Sequence, residues 1–138
     1  MTTISDNAFY KCTKLTNANL TKLTTIGCYT FRGCSALTEI DIPLLTVVSN
    51  GAFTECSTLT TIKNCNATTI GAAAFSECSA LTTIDLPNAT SLGGSAFSGC
   101  TNLTTISAPK VQTVDSFAFN KDKSLTSIYL PEALTIGN

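Results

Sequence analysis

Histidine and tryptophan are absent from this chain of 138 residues, and charged residues make up only 12% of it. The missing histidine removes the usual general base and the usual partner of a serine or cysteine nucleophile, so an enzyme is not expected. With eight Lys and Arg residues and a net charge of −1, no basic patch is available to neutralise a phosphate backbone, and nucleic acid is not an expected partner. No apolar run approaches the roughly 20 residues of a membrane-spanning helix.

The chain does contain a repeat of 22 residues that no insertion interrupts. A fixed period of this length is typical of stacked supersecondary units that cannot bury their apolar faces alone. We therefore expect one repeat solenoid over residues 1–138, with repeats at about 2–23, 24–45, 46–67, 68–89, 90–111 and 112–133 and a partial one at 134–138. Three columns show the register: Phe9, Phe31, Phe53, Phe75, Phe97 and Phe119; Leu15, Leu37, Leu59, Leu81, Leu103 and Leu125; Cys12, Cys34, Cys56, Cys78 and Cys100.

One repeat contains two different apolar patterns. Ile84 and Leu86 alternate with polar residues up to Pro87, which predicts a short strand with one buried face. Ala74, Cys78 and Leu81 follow a spacing of four and three residues, which predicts one short helical or 3₁₀ turn that faces the core. The expected architecture has about six rungs, with a parallel sheet on one face and short helical turns and extended segments on the other.

The segment from Ile70 to Pro87, IGAAAFSECSALTTIDLP, resembles the repeat unit of the BspA-like leucine-rich repeats. The resemblance covers essentially the whole chain, and it implies a curved, non-catalytic solenoid of the kind found in surface or secreted proteins that bind host or matrix proteins. It therefore implies an extracellular or cell-surface location. The first six residues show no secretory signal, so a cytoplasmic location stays open. Two repeats depart from the pattern, with Asp122 in the cysteine column and Asn64-Cys65 where Leu-Pro is usual.

The seven cysteines are expected to be reduced. Five of them occupy one inward column, where stacked Cβ atoms lie about one strand spacing apart, which is longer than the ~3.8 Å that a disulfide prefers. Cys28 and Cys65 occupy columns that otherwise hold polar, small or proline residues, and we expect them to be the more exposed thiols. No paired cysteine spacing and no histidine support a zinc site, and no metal or cofactor is predicted.

Carboxylates are the remaining candidates for catalysis. Glu39 and Asp41 are two residues apart on one strand, which places them about 6.5–7 Å apart, near the range of an inverting glycosidase. The pleat of any strand produces this spacing, and Asp41, Lys63 and Asp85 are better explained as a solvated ladder of alternating charge. Neither an enzyme nor a small-molecule substrate is predicted.

The outward side of the predicted sheet is the candidate binding face, because the strands of such solenoids present an extended surface to protein partners. We expect a non-enzymatic protein-binding or adhesion module that acts through this face. Its candidate residues are Glu39, Asp41, Thr61, Lys63, Thr83, Asp85, Thr105, Ser107, Ser127 and Tyr129.

The two ends of the solenoid are the alternative candidate site. Neither end has the polar cap that solenoids ordinarily need, and an exposed edge strand is a template for pairing. The alternative function is therefore a structural subunit that assembles head-to-tail into a filament. The candidate residues are Thr2, Thr3, Ile4, Phe9, Leu134, Thr135 and Ile136.

Four sequons for N-glycosylation are also present in the sequence. They begin at Asn19, Asn66, Asn88 and Asn102.

Overall fold

The computed structural model describes residues 2–138, and its regular structure consists of twelve short strands. Rungs 1 to 6 denote the repeats that begin at residues 2, 24, 46, 68, 90 and 112. Each rung contributes a two-residue strand, rungs 2 to 6 also contribute a three-residue strand, and the partial repeat 134–138 contributes the last two-residue strand. The strands are β1 Thr3–Ile4, β2 Thr25–Ile26, β3 Glu39–Asp41, β4 Val47–Val48, β5 Thr61–Lys63, β6 Thr69–Ile70, β7 Thr83–Asp85, β8 Ser91–Leu92, β9 Thr105–Ser107, β10 Thr113–Val114, β11 Ser127–Tyr129 and β12 Thr135–Ile136.

All strand pairs are parallel, and each residue lies opposite the residue 22 positions later, as Ile84 lies opposite Ile106. The three-residue strands form the sheets β3–β5 and β7–β9–β11, while the two-residue strands form β1–β2 and β4–β6–β8–β10–β12. Threonine and β-branched residues dominate these strands because such side chains fit a pleated, half-buried surface. The prediction of a parallel solenoid is confirmed.

The predicted helical or 3₁₀ turn between the strands is wrong. In rung 4, the N–H groups of Ala73, Phe75 and Glu77 donate to carbonyls of rung 5 at 2.7–2.9 Å, and the N–H groups between them close turns within the rung at 3.1–3.2 Å. A helix would keep all of these hydrogen bonds inside one segment.

Two positions in each of these turn segments also have a left-handed backbone, which a right-handed helical turn does not contain. The φ values in these two columns lie between 53° and 79°, as in the third residue of a type II turn. The columns are Asn7, Tyr29, Gly51, Ala73, Ser95 and Phe117, and Lys11, Gly33, Glu55, Glu77, Gly99 and Lys121.

The core lies between the sheets and the turn segments and consists of continuous side-chain columns. Phe31, Phe53, Phe75 and Phe97 are fully buried, with Phe9 and Phe119 half-buried at the two ends of the stack. Neighbouring rings are nearly parallel, with interplanar angles of 1–6° and centroids 5.1–5.9 Å apart. Each rung therefore buries its apolar face only against the rungs beside it.

The cysteine column forms a second ladder. The thiols of Cys34, Cys56, Cys78 and Cys100 each donate to the carbonyl of the phenylalanine 25 residues earlier, at 3.2–3.3 Å. All seven cysteines are free thiols. Burial raises the pKa of Cys34 to about 11 and that of Cys56 to about 12, so these thiols stay protonated at neutral pH.

The prediction that Cys65 is exposed is wrong. Asn64 has a left-handed backbone, with a φ of 49°, and its side chain is exposed. The chain therefore turns one residue early, and Cys65 is buried, at 3% exposure, where rungs 2 and 4 bury Ile42 and Leu86. Cys28 is half-buried. The early turn at Asn64 coincides with a break in the sheet. Within residues 2–138, β5 pairs with β3 and does not pair with β7.

Candidate functional site

The structure places the ten residues of the predicted binding face on the outward side of β3, β5, β7, β9 and β11. Period-two alternation explains this arrangement, because in β3, β7 and β9 the middle isoleucine is buried in the core and its two neighbours turn away from it. In β7, for example, Ile84 is buried while Thr83 and Asp85 are exposed. We call this surface the strand face.

The strand face is acidic at its first three strands. It carries three carboxylates, Glu39, Asp41 and Asp85, and one amine, Lys63. Lys63 Nζ donates to Glu39 Oε2 at 2.8 Å, and this ion pair raises the pKa of Lys63. The Asn64 side chain donates to Asp41 Oδ1 at 2.9 Å. Among residues 2–138, Asp85 has no hydrogen-bond partner for its carboxylate and is free to accept from a ligand.

Two polar clefts border the acidic part of the strand face. The first has a volume of about 260 Å³ and is lined by Asn17, Asn19, Glu39 and Asp41 together with smaller neighbours. The second has a volume of about 250 Å³ and lies beside the irregular segment of rung 3. Its lining consists of Ile62, Asn64, Cys65, Asn66, Asp85 and Pro87. Both clefts bring side-chain oxygens together, which suits a partner that donates hydrogen bonds.

The two ends differ in how far they bury their candidate residues. At the N-terminal end Ile4 is 7% exposed and Phe9 is half-buried, while Thr2 and Thr3 are exposed. At the other end Leu134 is 82% and Ile136 is 66% exposed, and Thr135 is also exposed. A hollow of about 380 Å³ lies beside Ile136 and is lined by Val114, Phe117, Ala118 and Phe119 among others.

A cluster of aromatic and cationic side chains that was not predicted from the sequence lies on the turn segments of rungs 1 and 2. The Arg32 guanidinium carbon lies 5.9 Å from the ring centroids of both Tyr10 and Tyr29, and Lys11 Nζ lies 5.4 Å from that of Tyr10. Arg32 Nη2 also donates to Glu55 Oε1 at 2.9 Å. Tyr10 and Arg32 occupy the same column in adjacent rungs, and that stacking was the sequence signal that could have revealed the cluster.

Asp122 has the only pKa raised to about 7 among the carboxyl groups described. Burial raises it from an ordinary value of 3.8, and the nearby backbone N–H groups of Cys100 and Gly99 offset only part of this rise, because neither carboxyl oxygen has a donor within hydrogen-bond geometry. This carboxyl lies inside the cysteine column and lines none of the clefts above, so its pKa is explained by desolvation in the core.

Within residues 2–138, no three Cys, Asp or Glu side chains lie close enough to hold a metal ion. The described segment also has no helix both long and apolar enough to span a membrane.

The family model of BspA type leucine rich repeat regions matches residues 2–109 and 46–138, with six copies. The chain belongs to this family. Among curated proteins, none matches it.

The fold of this BspA-type chain is also found in solved bacterial structures. A leucine-rich repeat protein of T. pallidum is 28% identical, with a TM-score of 0.92 over 99% of this chain and 66% of that one. A leucine-rich repeat protein of Bacteroides ovatus is 26% identical, with a TM-score of 0.81 over 99% and 40%. A leucine-rich cell surface protein of Faecalibacterium prausnitzii is 25% identical, with a TM-score of 0.79 over 99% and 39%. The chain thus spans less than two thirds of the length of each protein.

Proposed function

We propose that this BspA-type chain is a non-enzymatic protein-binding or adhesion module of an extracellular or cell-surface protein, and that the strand face is its binding surface. Leucine-rich repeats are generally protein-interaction modules, and one of the structures that it resembles is described as a cell surface protein. The observation that carries the proposal is a row of outward-facing polar side chains, most of them exposed, over the five strands of the two sheets β3–β5 and β7–β9–β11.

The charge of the strand face indicates what kind of partner it fits. Three carboxylates against one amine leave a surplus of acceptors, and Asp85 has no partner among the described residues. A partner segment that carries lysine or arginine complements this arrangement, because unlike charges across an interface steer association and fix its register. Tyr129, at 57% exposure, adds an aromatic contact at the far end of the same face.

The test is a charge reversal of the strand face, Glu39→Lys with Asp41→Lys and Asp85→Lys. The control is a triple reversal of exposed carboxylates elsewhere, Glu77→Lys with Asp115→Lys and Glu132→Lys, which changes the net charge equally. Purified extracellular-matrix proteins, immobilised one by one, are the probes, and biolayer interferometry reports the dissociation constant.

We expect the strand-face variant to lose at least about tenfold in affinity for any matrix protein that the wild-type chain binds, since buried charge partners at interfaces contribute on this scale. The control variant should keep the wild-type affinity, and both variants should keep the same mass in solution. Unaltered affinity in the strand-face variant contradicts the proposal, and so does an equal loss in the control.

A head-to-tail assembly is the second candidate function, because the C-terminal end exposes a connected apolar surface. Leu134, Ile136 and Phe117 are exposed by 82%, 66% and 59%, and Ile136 and Phe117 line the hollow of about 380 Å³. The hydrogen bonds between turn segments also point in one direction along the solenoid: Phe97 N–H, for example, donates to Ala118 O of the next rung. Opposite ends of the solenoid therefore offer complementary backbone groups, and a second copy that stacks there continues the repeat.

Light scattering over a concentration series, with negative-stain imaging of the same samples, tests this assembly. Threads with an advance of about 30 Å per subunit are expected, which is six rungs at about 4.8 Å each. Ile136→Lys and Ile4→Lys should abolish the threads, whereas Ser95→Lys on the turn segments should leave them unchanged. Circular dichroism checks that each variant is folded. Threads that persist in both end variants, or a monomer at every wild-type concentration, refute assembly.

A further inference from the structure

The cluster on the turn segments of rungs 1 and 2 has the composition of a binding surface. We define the tyrosine–arginine patch as Tyr10, Lys11, Tyr29, Arg32 and Glu55. Tyr10 and Tyr29 are 42% and 41% exposed, and the Arg32 side chain is 37% exposed. Tyrosine and arginine are enriched at the energetic centres of protein interfaces, because they combine large contact area with hydrogen bonding.

The backbone at Tyr29 is unfavourable for a bulky side chain. Its φ is 54°, and the same column holds Gly51, Ala73 and Ser95 in the next three rungs, with Asn7 in rung 1 and one other aromatic residue, Phe117, in rung 6. A bulky residue with a left-handed backbone costs free energy, and an exposed ring recovers little of it by burial. The Tyr29 ring lies over Gly51, where an added Cβ would overlap it. The neighbouring rung therefore leaves room for this ring, and strain at an exposed aromatic residue indicates a function.

The patch has hydrogen-bond donors without acceptors. Glu55 Oε1 accepts one N–H of Arg32 Nη2, and within residues 2–138 no other side-chain acceptor pairs with the guanidinium; Nε is buried and is not accessible to a ligand. Lys11 Nζ lies over the Tyr10 ring, and no ion pair of Lys11 occurs in the described part of the chain. Lys11 and Arg32 against Glu55 leave the patch with one positive charge, opposite in sign to the strand face.

We propose that the tyrosine–arginine patch is a second protein-binding surface, and that its occupant is an acidic segment of a partner protein. Arg32 and Lys11 bind a carboxylate of that segment, and the two tyrosine rings pack against its apolar atoms. A polyanion such as a nucleic acid or a sulfated polysaccharide fits less well, because such ligands need a row of cations, whereas this patch has two cations with a carboxylate between rungs. This proposal is independent of the strand face, whose charge favours a basic partner.

Fluorescent peptides test the proposal with the folded chain. The acidic probe is a pool of 12-residue peptides in which half of the positions are Glu and the rest are Phe, Pro and Gly. The matched probe has Gln at every Glu position, and heparin is the polyanion probe. Anisotropy gives the affinities, and amide chemical shifts show which residues respond. We expect the acidic pool to bind and to shift the amides of Tyr10, Tyr29 and Arg32, and the Gln pool to bind at least about tenfold more weakly.

Two variants separate binding from folding. Tyr29→Gly removes the ring and also relieves the left-handed strain, so the thermal midpoint should not fall, whereas the affinity for the acidic pool should fall by about tenfold. Arg32→Gln should have a similar effect on affinity. Lys110→Gln removes the same charge at a different corner of the solenoid and is the control. The triple reversal of the strand face should leave binding of the acidic pool in place.

Three results would overturn this proposal. One is equal binding of the Glu and Gln pools, and another is unchanged affinity in both Tyr29→Gly and Arg32→Gln. The third is heparin binding that is tighter than that of the acidic pool and shifts the same amides, because the ligand class is then a polyanion. Failure of the strand face with matrix proteins does not affect any of these outcomes, so the two binding surfaces are tested separately.

Discussion

Rung 4 and rung 6 carry the same side-chain columns but bury them to different extents. Phe75 and Leu81 in rung 4 are fully buried because a rung lies on each side, whereas Phe119 and Leu125 in rung 6 are half-buried. Ile128 is 48% exposed at the position where Ile84 is 4% exposed. The column decides where a side chain lies, and the neighbouring rung decides how much its burial stabilises the fold.

Truncating the same column in the two rungs should give the largest contrast. We expect Phe75→Ala to lower the free energy of unfolding by about 3–5 kcal/mol, because it leaves a cavity in the middle of the ring stack. Phe119→Ala should lower it by about 1–2 kcal/mol. The Phe119 ring is already partly exposed in the folded chain, so unfolding exposes less additional apolar area. Urea denaturation followed by circular dichroism measures both values. Equal losses would show that burial by the neighbouring rung is not the controlling factor.

The cysteine column provides the next contrast, because rung 6 has Asp122 where rungs 1 to 5 have a thiol. A thiol donates to a phenylalanine carbonyl, whereas an ionised carboxylate has no proton to donate. Burial raises the pKa of Asp122 from 3.8 to about 7, with the Cys100 thiol and the Glu77 carboxylate as the nearest titratable groups. The protonated form therefore fits the folded chain better than the ionised form does.

The sign of the pH dependence follows from this raised pKa. Stability from Asp122 is fully present below pH 3.8 and is lost as the pH rises through about 7. Asp122→Asn and Asp122→Cys should remove this slope and stabilise the chain at pH 8 by about 1–3 kcal/mol, the cost of an unsatisfied buried polar group. Thermal unfolding at pH 4 to 8 measures the effect, with the exposed Asp115→Asn as control. A slope that persists in both Asp122 variants would contradict this assignment.

The columns could be read from the sequence because each one is set by a period of 22 residues and by alternation within the strands. The path of the turn segments could not, because left-handed positions are occupied here by Lys, Tyr, Glu and Phe as well as by Gly. The spacing of Ala74, Cys78 and Leu81 is compatible with a helix, and the hydrogen bonds to the next rung together with the left-handed backbone of Ala73 and Glu77 show that the segment is not helical.

Cys65 shows the same limit at a single position. Asn64 stands in a column of buried aliphatic residues, and Asn tolerates a left-handed backbone better than most residues. The polar residue turns outward, and the next residue takes its place in the core. The strand face could be predicted by alternation. The period of 22 residues places Tyr10 and Arg32 in one column, whereas the contact of Arg32 with Tyr29 and the position of the Tyr29 ring over Gly51 depend on side-chain rotamers.

The left-handed columns provide the smallest contrast. Phe117 has a φ of 61° and is 59% exposed, whereas Gly51 in the same column has a φ of 62° and lies under the Tyr29 ring. Phe117→Gly should raise the free energy of unfolding by about 1 kcal/mol, because it relieves the left-handed strain and loses little buried area. Gly51→Ala should lower the free energy of unfolding by a similar or larger amount. The alanine would have to adopt the same left-handed backbone, and its Cβ would overlap the Tyr29 ring.

Thermal unfolding of both variants at a concentration where the chain is monomeric measures this difference. Ser95→Gly is a matched control, because Ser95 has a φ of 57° in the same column but carries only a small side chain. A stabilisation by Ser95→Gly that equals that of Phe117→Gly would show that backbone strain alone sets the effect. A loss of stability in Phe117→Gly would show instead that its exposed ring packs on Phe119 and the end of the core, and that rung 6 is better covered than its exposure indicates.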